Sequence, residues 1–139
     1  MILYLYYYLE LYRATQKKVT SLLQTNLNFI ADESSNIRRE RVQNLCVSVK
    51  EYGAFYLESE PLQGETLDGE WNANWLHKKL SAAVSGEFSR INSITTDTCP
   101  TQKKAARILA GRQEYQKVFF VSCDSHELQL LIKNILKLS

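Results

Sequence analysis

Residues 91–122 read INSITTDTCPTQKKAARILAGRQEYQKVFFVS, and this stretch decides the fold. INSITTD (91–97) alternates apolar and polar residues like a short strand. Pro100 stands where a first helical turn tolerates a missing N–H, and Gly111 follows Ala110 where a helix commonly ends, so the spacing predicts a helix over 100–110. KVFFVS (117–122) carries a continuous apolar run, the pattern of a strand buried on both faces. Strand, helix and strand in this order predict an α/β layer, with helices packed on a sheet.

Upstream of it, residues 67–84 place Leu67, Trp71, Trp75, Leu76, Leu80, Ala83 and Val84 on a helical stripe. Thr66 or Asp68 can cap its start, and Gly86 lies past its end. Three β-rich runs come before that helix. LLQTNLNFIAD (22–32) ends on Asp32, the polar ESSNIRRE (33–40) reads as a turn, and RVQNLCVSVK (41–50) and AFYLESE (54–60) follow, with Glu51-Tyr52-Gly53 between them and Pro61 at the close. The short connections predict an antiparallel meander. Downstream, Asp124 and Glu127 have the spacing of a reciprocal helix cap. Leu128, Leu131, Ile132, Ile135 and Leu136 then recur at i, i+3, i+4, i+7 and i+8, which predicts a last helix. The expected order is β-β-β-α-β-α-β-α in a mixed sheet, with residues 22–139 as the core and 1–21 as a Tyr/Leu-rich leading segment.

Composition sets the outer bounds. A chain of 139 residues with 45% hydrophobic and 23% charged residues can bury one core and does not have the makeup of a disordered protein. The net charge of +2 does not by itself point to nucleic acid. Two local clusters are basic: Arg38, Arg39 and Arg41 around Glu40, and Lys103, Lys104, Arg107, Arg112 and Lys117 against Glu114. Such clusters are usually solvated faces, and here they are also the candidate nucleic-acid contacts. Three scattered cysteines, Cys46, Cys99 and Cys123, argue against a disulfide framework and fit a reducing compartment. The opening ILYLYYYLELY (2–12) is far shorter than the ~20 residues that span a bilayer, and it lacks the basic start and cleavage site of a signal peptide. It reads as a surface packed against something, with no membrane partner expected.

Few residues can carry chemistry. Asp32 and Asp97 each end a predicted strand. A strand that enters after a helical crossover often lies parallel to the first, and strands about 4.8 Å apart would then bring both carboxylates to one sheet end. Paired carboxylates there suit a hard cation such as Mg²⁺, which also accepts phosphate oxygens and water. The plainer reading is that each Asp serves a turn or a helix start. Cys123 and His126 form C-x-x-H, a weak zinc half-site without a matching pair; His77 and Cys99 do not complete it. Cys46 reads as plain core, and Trp71 and Trp75 as core anchors. Ser34 and Ser35 have no neighbouring His to activate them. No glycine-rich phosphate loop is present, and no small-molecule substrate is expected.

These segments together resemble the catalytic core of hAT-family DNA transposases, which is ribonuclease-H-like. NFIADESSNIRRER (28–41) is similar to the first catalytic strand, and NLCVSVKEYGAFYLESEPL (44–62) to the second and third. INSITTDTCPTQKKAARIL (91–109) resembles the segment of the second acid, and VFFVSCDSHELQLLIKNIL (118–136) the C-x-x-H segment. The resemblance covers about residues 22–138. It implies that Asp32 and Asp97 are catalytic, metal-binding acids, that Cys123 shapes the site and that His126 acts in it near a DNA phosphate. It further implies Mg²⁺ or Mn²⁺ as cofactor, DNA as partner, a nuclear location, and assembly as dimers or larger complexes. The chain departs from the pattern at Thr98, where the family has Asn, and at Asn134, where Asp is common. The family's third acid is a Glu that follows a large helical insertion, and it has no counterpart here.

The expected function is therefore that of a fragment of a transposase catalytic domain, truncated before the helix with the third acid and inactive alone. One alternative is a repurposed, non-catalytic interaction module. Another is a small ribonuclease-H-type nuclease, which would need a further acid, with Glu33, Glu58 and Glu60 as poor candidates. Apolar surface at the last helix and the N-terminus is expected to favour self-association.

Overall fold

A computed structural model of the chain describes residues 10, 11, 13, 14, 26–35, 37–49, 53–62 and 68–123. The predicted last helix, with His126, and nearly all of the Tyr-rich opening lie outside the described residues. Five strands form one mixed sheet: β1 (Leu27–Ser35), β2 (Arg41–Val49), β3 (Gly53–Pro61), β4 (Ile91–Thr96) and β5 (Phe119–Ser122). Their spatial order is β3-β2-β1-β4-β5. β1, β2 and β3 pair antiparallel, as the short connections require, while β4 lies parallel to β1 and β5 parallel to β4. Two helices, α1 (Gly69–Ala83) and α2 (Pro100–Ala110), make the crossovers.

Alternation along the strands sorts their side chains onto two faces. Leu27, Phe29 and Ala31 of β1, Leu45 and Val47 of β2, and Ile94 of β4 are almost fully buried on one of them. Against these pack Ala73, Leu76 and Leu80 of α1, and Ala105 and Leu109 of α2. Both helices lie on this same face. Trp75 Nε1 of α1 donates to Glu60 of β3 at 2.8 Å, and Gln102 Nε2 of α2 donates to Gln43 Oε1 of β2 at 3.3 Å. The helices meet closely at Gly69, where an added Cβ would lie 2.5 Å from Lys104 Cβ.

Local chemistry sets the helix ends. Asp68 accepts from the N–H groups of Glu70 and Trp71, occupying donors that the first turn leaves unpaired. α1 closes with Gly86 N–H donating to Ser81 O at 2.9 Å and Ser85 N–H to Ala82 O at 3.4 Å, a geometry that needs the positive φ of +54° at Ser85. α2 begins at Pro100 and is followed by Gly111, as the sequence predicts.

The structure differs from the sequence reading in three places. β1 does not end at Asp32 but runs on to Ser35, because Glu33 pairs with Gln43 and Ser35 with Arg41, and Glu33 also forms an ion pair with Arg41. Pro61 is itself the last residue of β3 and not the residue after it, a place tolerated on an edge strand with one unpaired side. β5 is not buried on both faces. It is an edge strand with Phe119 70% and Val121 45% exposed.

Candidate functional site

The face of the sheet opposite α1 and α2 carries the candidate chemistry. Leu27, Phe29 and Ala31 point toward the helices, so Ile30 and Asp32 point the other way. The register of β1 with β4 pairs Ile30 with Thr95 and Ala31 with Thr96. The next step along both strands sets Asp32 beside Asp97, one strand spacing away, at about 4.8 Å between chains. Both aspartates line one pocket of about 510 Å³, together with Cys123, Cys46, Asn44 and Tyr56. Asp32, Asp97 and Cys123 thus line a single pocket.

Each residue is placed by a local cause. β4 stops at Thr96, and Asp97 Oδ1 accepts from Cys99 N–H at 2.8 Å, which closes a short turn into α2. This bond fixes the carboxylate's direction, so the turn role and a site role coexist. Asp32 stands directly opposite Asn44. Asn44 is gripped from both sides: its Nδ2 donates to Ser34 Oγ at 2.8 Å and its Oδ1 accepts from Ser59 Oγ, a polar ladder across β1, β2 and β3. Cys123 follows β5 and donates its N–H to Thr96 O at 2.9 Å, which holds it at the mouth of the pocket.

Two thiols of the neighbourhood, Cys46 and Cys99, are not activated. Burial pushes the Cys46 thiol up, and the nearby charge of Asp32 pushes it further. Burial likewise raises Cys99, helped by its hydrogen bond with Asp97. Both stay protonated near neutral pH and are poor nucleophiles or soft-metal ligands there. Cys46, read from sequence as plain core, is instead half-buried and lines the pocket.

Three other acids fall on the wrong face. Glu33 is tied to Arg41, and Glu58 and Glu60 are tied to Lys79 of α1, all on the side that the helices cover. Among the described residues no three of His, Cys, Asp and Glu are grouped to hold a metal ion. Two carboxylates in a roomy pocket still fit a single hard cation, since Mg²⁺ takes one or two carboxylates and completes its shell with water or phosphate. His77 is remote from this site, stacked on Phe88 and 3.1 Å from Tyr115 Oη.

The basic residues divide. Arg38 and Arg39 are exposed in the turn after β1, at the sheet end where Asp32 and Asp97 lie. Lys103 and Arg107 are exposed on α2, one turn apart. Arg41 is engaged by Glu33, and Lys104 lies 3.8 Å from Asp68. One member of each predicted cluster, Arg41 and Lys104, is thus engaged by a carboxylate. Asn44 and its serine partners are the site feature that sequence reasoning missed; only the register of β1 with β2, which the sequence does not print, puts Asn44 opposite Asp32.

Compared with known proteins, the chain matches no family model and no curated protein. Among the described residues no helix is long and apolar enough to cross a membrane.

Proposed function

We propose that this chain is the leading part of a ribonuclease-H-like catalytic core of the hAT transposase type, built for metal-assisted cleavage and transfer of DNA strands. One observation carries the reading: Asp32 and Asp97 lie on one face, at one end of adjacent parallel strands, in a shared pocket. The strand order β3-β2-β1-β4-β5, with three antiparallel strands continued by two parallel ones, supports the ribonuclease-H-like assignment.

In this reading Asp32 and Asp97 would hold a Mg²⁺ or Mn²⁺ ion. The ion, when bound, polarises a phosphodiester and stabilises charge on its oxygens. The protein's part is positional. The Asp97–Cys99 turn fixes one carboxylate, the Asn44 ladder stiffens the strand facing the other, and Arg38 and Arg39 offer charge to a DNA backbone at the same sheet end. A two-metal site needs another acid, and among the described residues no third acid groups with the pair, Glu33, Glu58 and Glu60 facing away from the pocket. That weighs against a stand-alone ribonuclease-H-type nuclease and for a fragment inactive alone. The same reading carries a nuclear location and assembly into dimers or larger complexes.

The test is Mn²⁺ binding to the purified chain, followed by electron paramagnetic resonance. One site is expected, lost in Asp32→Asn and in Asp97→Asn with the thermal melt retained. Mn²⁺ binding unchanged in both variants would remove the metal reading and leave the non-catalytic interaction module, which the exposed Tyr56, Phe119 and Val121 favour.

A further inference from the structure

Buried polar atoms gather where the turn after Asp97 enters α2. Gln43 of β2 and Gln102 of α2 are 0% exposed, and Thr98 is 8% exposed. Among the described residues, Gln43 Nε2, Gln102 Oε1 and Thr98 Oγ1 are buried without a hydrogen-bond partner, as are both side-chain polar atoms of Asn72 in α1. Gln43, Thr98 and Gln102 are the three whose places are tied together. Gln102 Nε2 donates to Gln43 Oε1 at 3.3 Å, and Thr98 stands four residues before Gln102, at the entry to the same helix.

Buried polar groups are nearly always paired, either within the protein or with ordered water. Two side-chain amides can satisfy each other through two bonds at once, the N–H of each to the C=O of the other. Here one bond forms and it is long, so the amides meet at one corner and leave one donor and one acceptor over. Exchanging N and O in both side chains keeps the same balance. Gln102 is the third residue of α2, a position from which glutamine commonly reaches back to the N–H of the capping residue. That N–H, of Cys99, is already taken by Asp97 Oδ1, so the Gln102 carbonyl is not spent on the helix cap.

We propose that Gln43, Thr98 and Gln102 bind one internal water molecule, which ties β2 to the turn that carries Asp97. The water accepts from Gln43 Nε2 and donates to Gln102 Oε1 and to Thr98 Oγ1. A buried water typically makes about three hydrogen bonds, and these three pair every atom that the amide contact leaves over. Gln43 shares the buried side of β2 with Leu45 and Val47, so the site lies on the helix-covered face, away from the pocket lined by Asp32. The proposal does not depend on the metal reading.

A crystal structure of the full chain, at a resolution that shows ordered water, tests it. The expected result is a water within hydrogen-bond distance of all three side chains. Amides of Gln43 and Gln102 joined by two direct bonds, or no water between them, would overturn the proposal. Hydrogen exchange of the Cys99 amide is the second measurement, because that N–H closes the turn. Thr98→Val replaces the hydroxyl with a methyl and is expected to speed this exchange severalfold, whereas Thr98→Ser keeps the hydroxyl and the native rate. One rate common to all three chains would overturn the tie between the water and the turn.

Discussion

Asp97 does two jobs whose separation is measurable. Its Oδ1 receives the Cys99 N–H and so closes the turn into α2. Asparagine keeps that acceptor but loses the charge, whereas alanine loses both. Asp97→Ala is expected to cost about 1 kcal/mol of stability, the size of one hydrogen bond, and Asp97→Asn about half of that or less, in urea unfolding. Glu60 makes a pH prediction. Its hydrogen bond from Trp75 Nε1, then that from Lys79, holds its carboxyl below the ordinary value of 4.5. Its folded-state value is the lower one, so the unfolded chain binds the proton first as pH falls. The stabilisation is thus complete above about pH 4.5 and is lost as pH drops through the folded-state value. Glu60→Gln should flatten the acid limb of a stability profile below that pH. The effect is small, because the Glu60 side chain is 43% exposed and solvent screens the pair.

At the scale of elements, the α1–α2 contact makes a prediction against propensity. Alanine for glycine inside an exposed helix stabilises by about 1 kcal/mol. Gly69 stands at the first position of α1, however, and a Cβ there would meet Lys104 Cβ at 2.5 Å, an atom fixed close to the α2 backbone. Gly69→Ala is therefore expected to destabilise by about 1–3 kcal/mol, the range of overpacking, and to lower the melting temperature. Lys104→Ala in the same chain should not rescue it, because the Cβ remains, whereas Lys104→Gly should in part.

The elements differ in how far their sequence announces them. α2 is fully legible because Pro100 and Gly111 act locally and nothing distant overrides them. β1 is legible as a strand, but its end is not. ESSN looks like a turn until Arg41 on the partner strand is there to receive Glu33. The apolar run of β5 signals burial, yet a run of apolar residues cannot say which element covers each face. Asp97 is visible as a strand-end acid, whereas Asp32, which the sequence places at a strand end, lies inside β1; their approach follows from the parallel pairing of β1 with β4. Asn44 is silent in sequence, since its place beside Asp32 depends on which residue of β2 meets which of β1.

For the whole molecule, the proposed chemistry depends on the arrangement of acids. The sheet divides these carboxylates between faces, with Asp32 and Asp97 on one and Glu33, Glu58 and Glu60 on the face that bears the helices. The purified chain is accordingly expected to leave supercoiled DNA intact with either Mg²⁺ or Mn²⁺. Nicking that disappears in Asp97→Asn would instead promote the stand-alone nuclease.

The paired aspartates are the centre of the account, and anomalous diffraction from crystals of the chain soaked in Mn²⁺ tests them most directly. The account predicts a peak within coordination distance of both Asp32 and Asp97. A peak elsewhere, or no peak on this face, would contradict it.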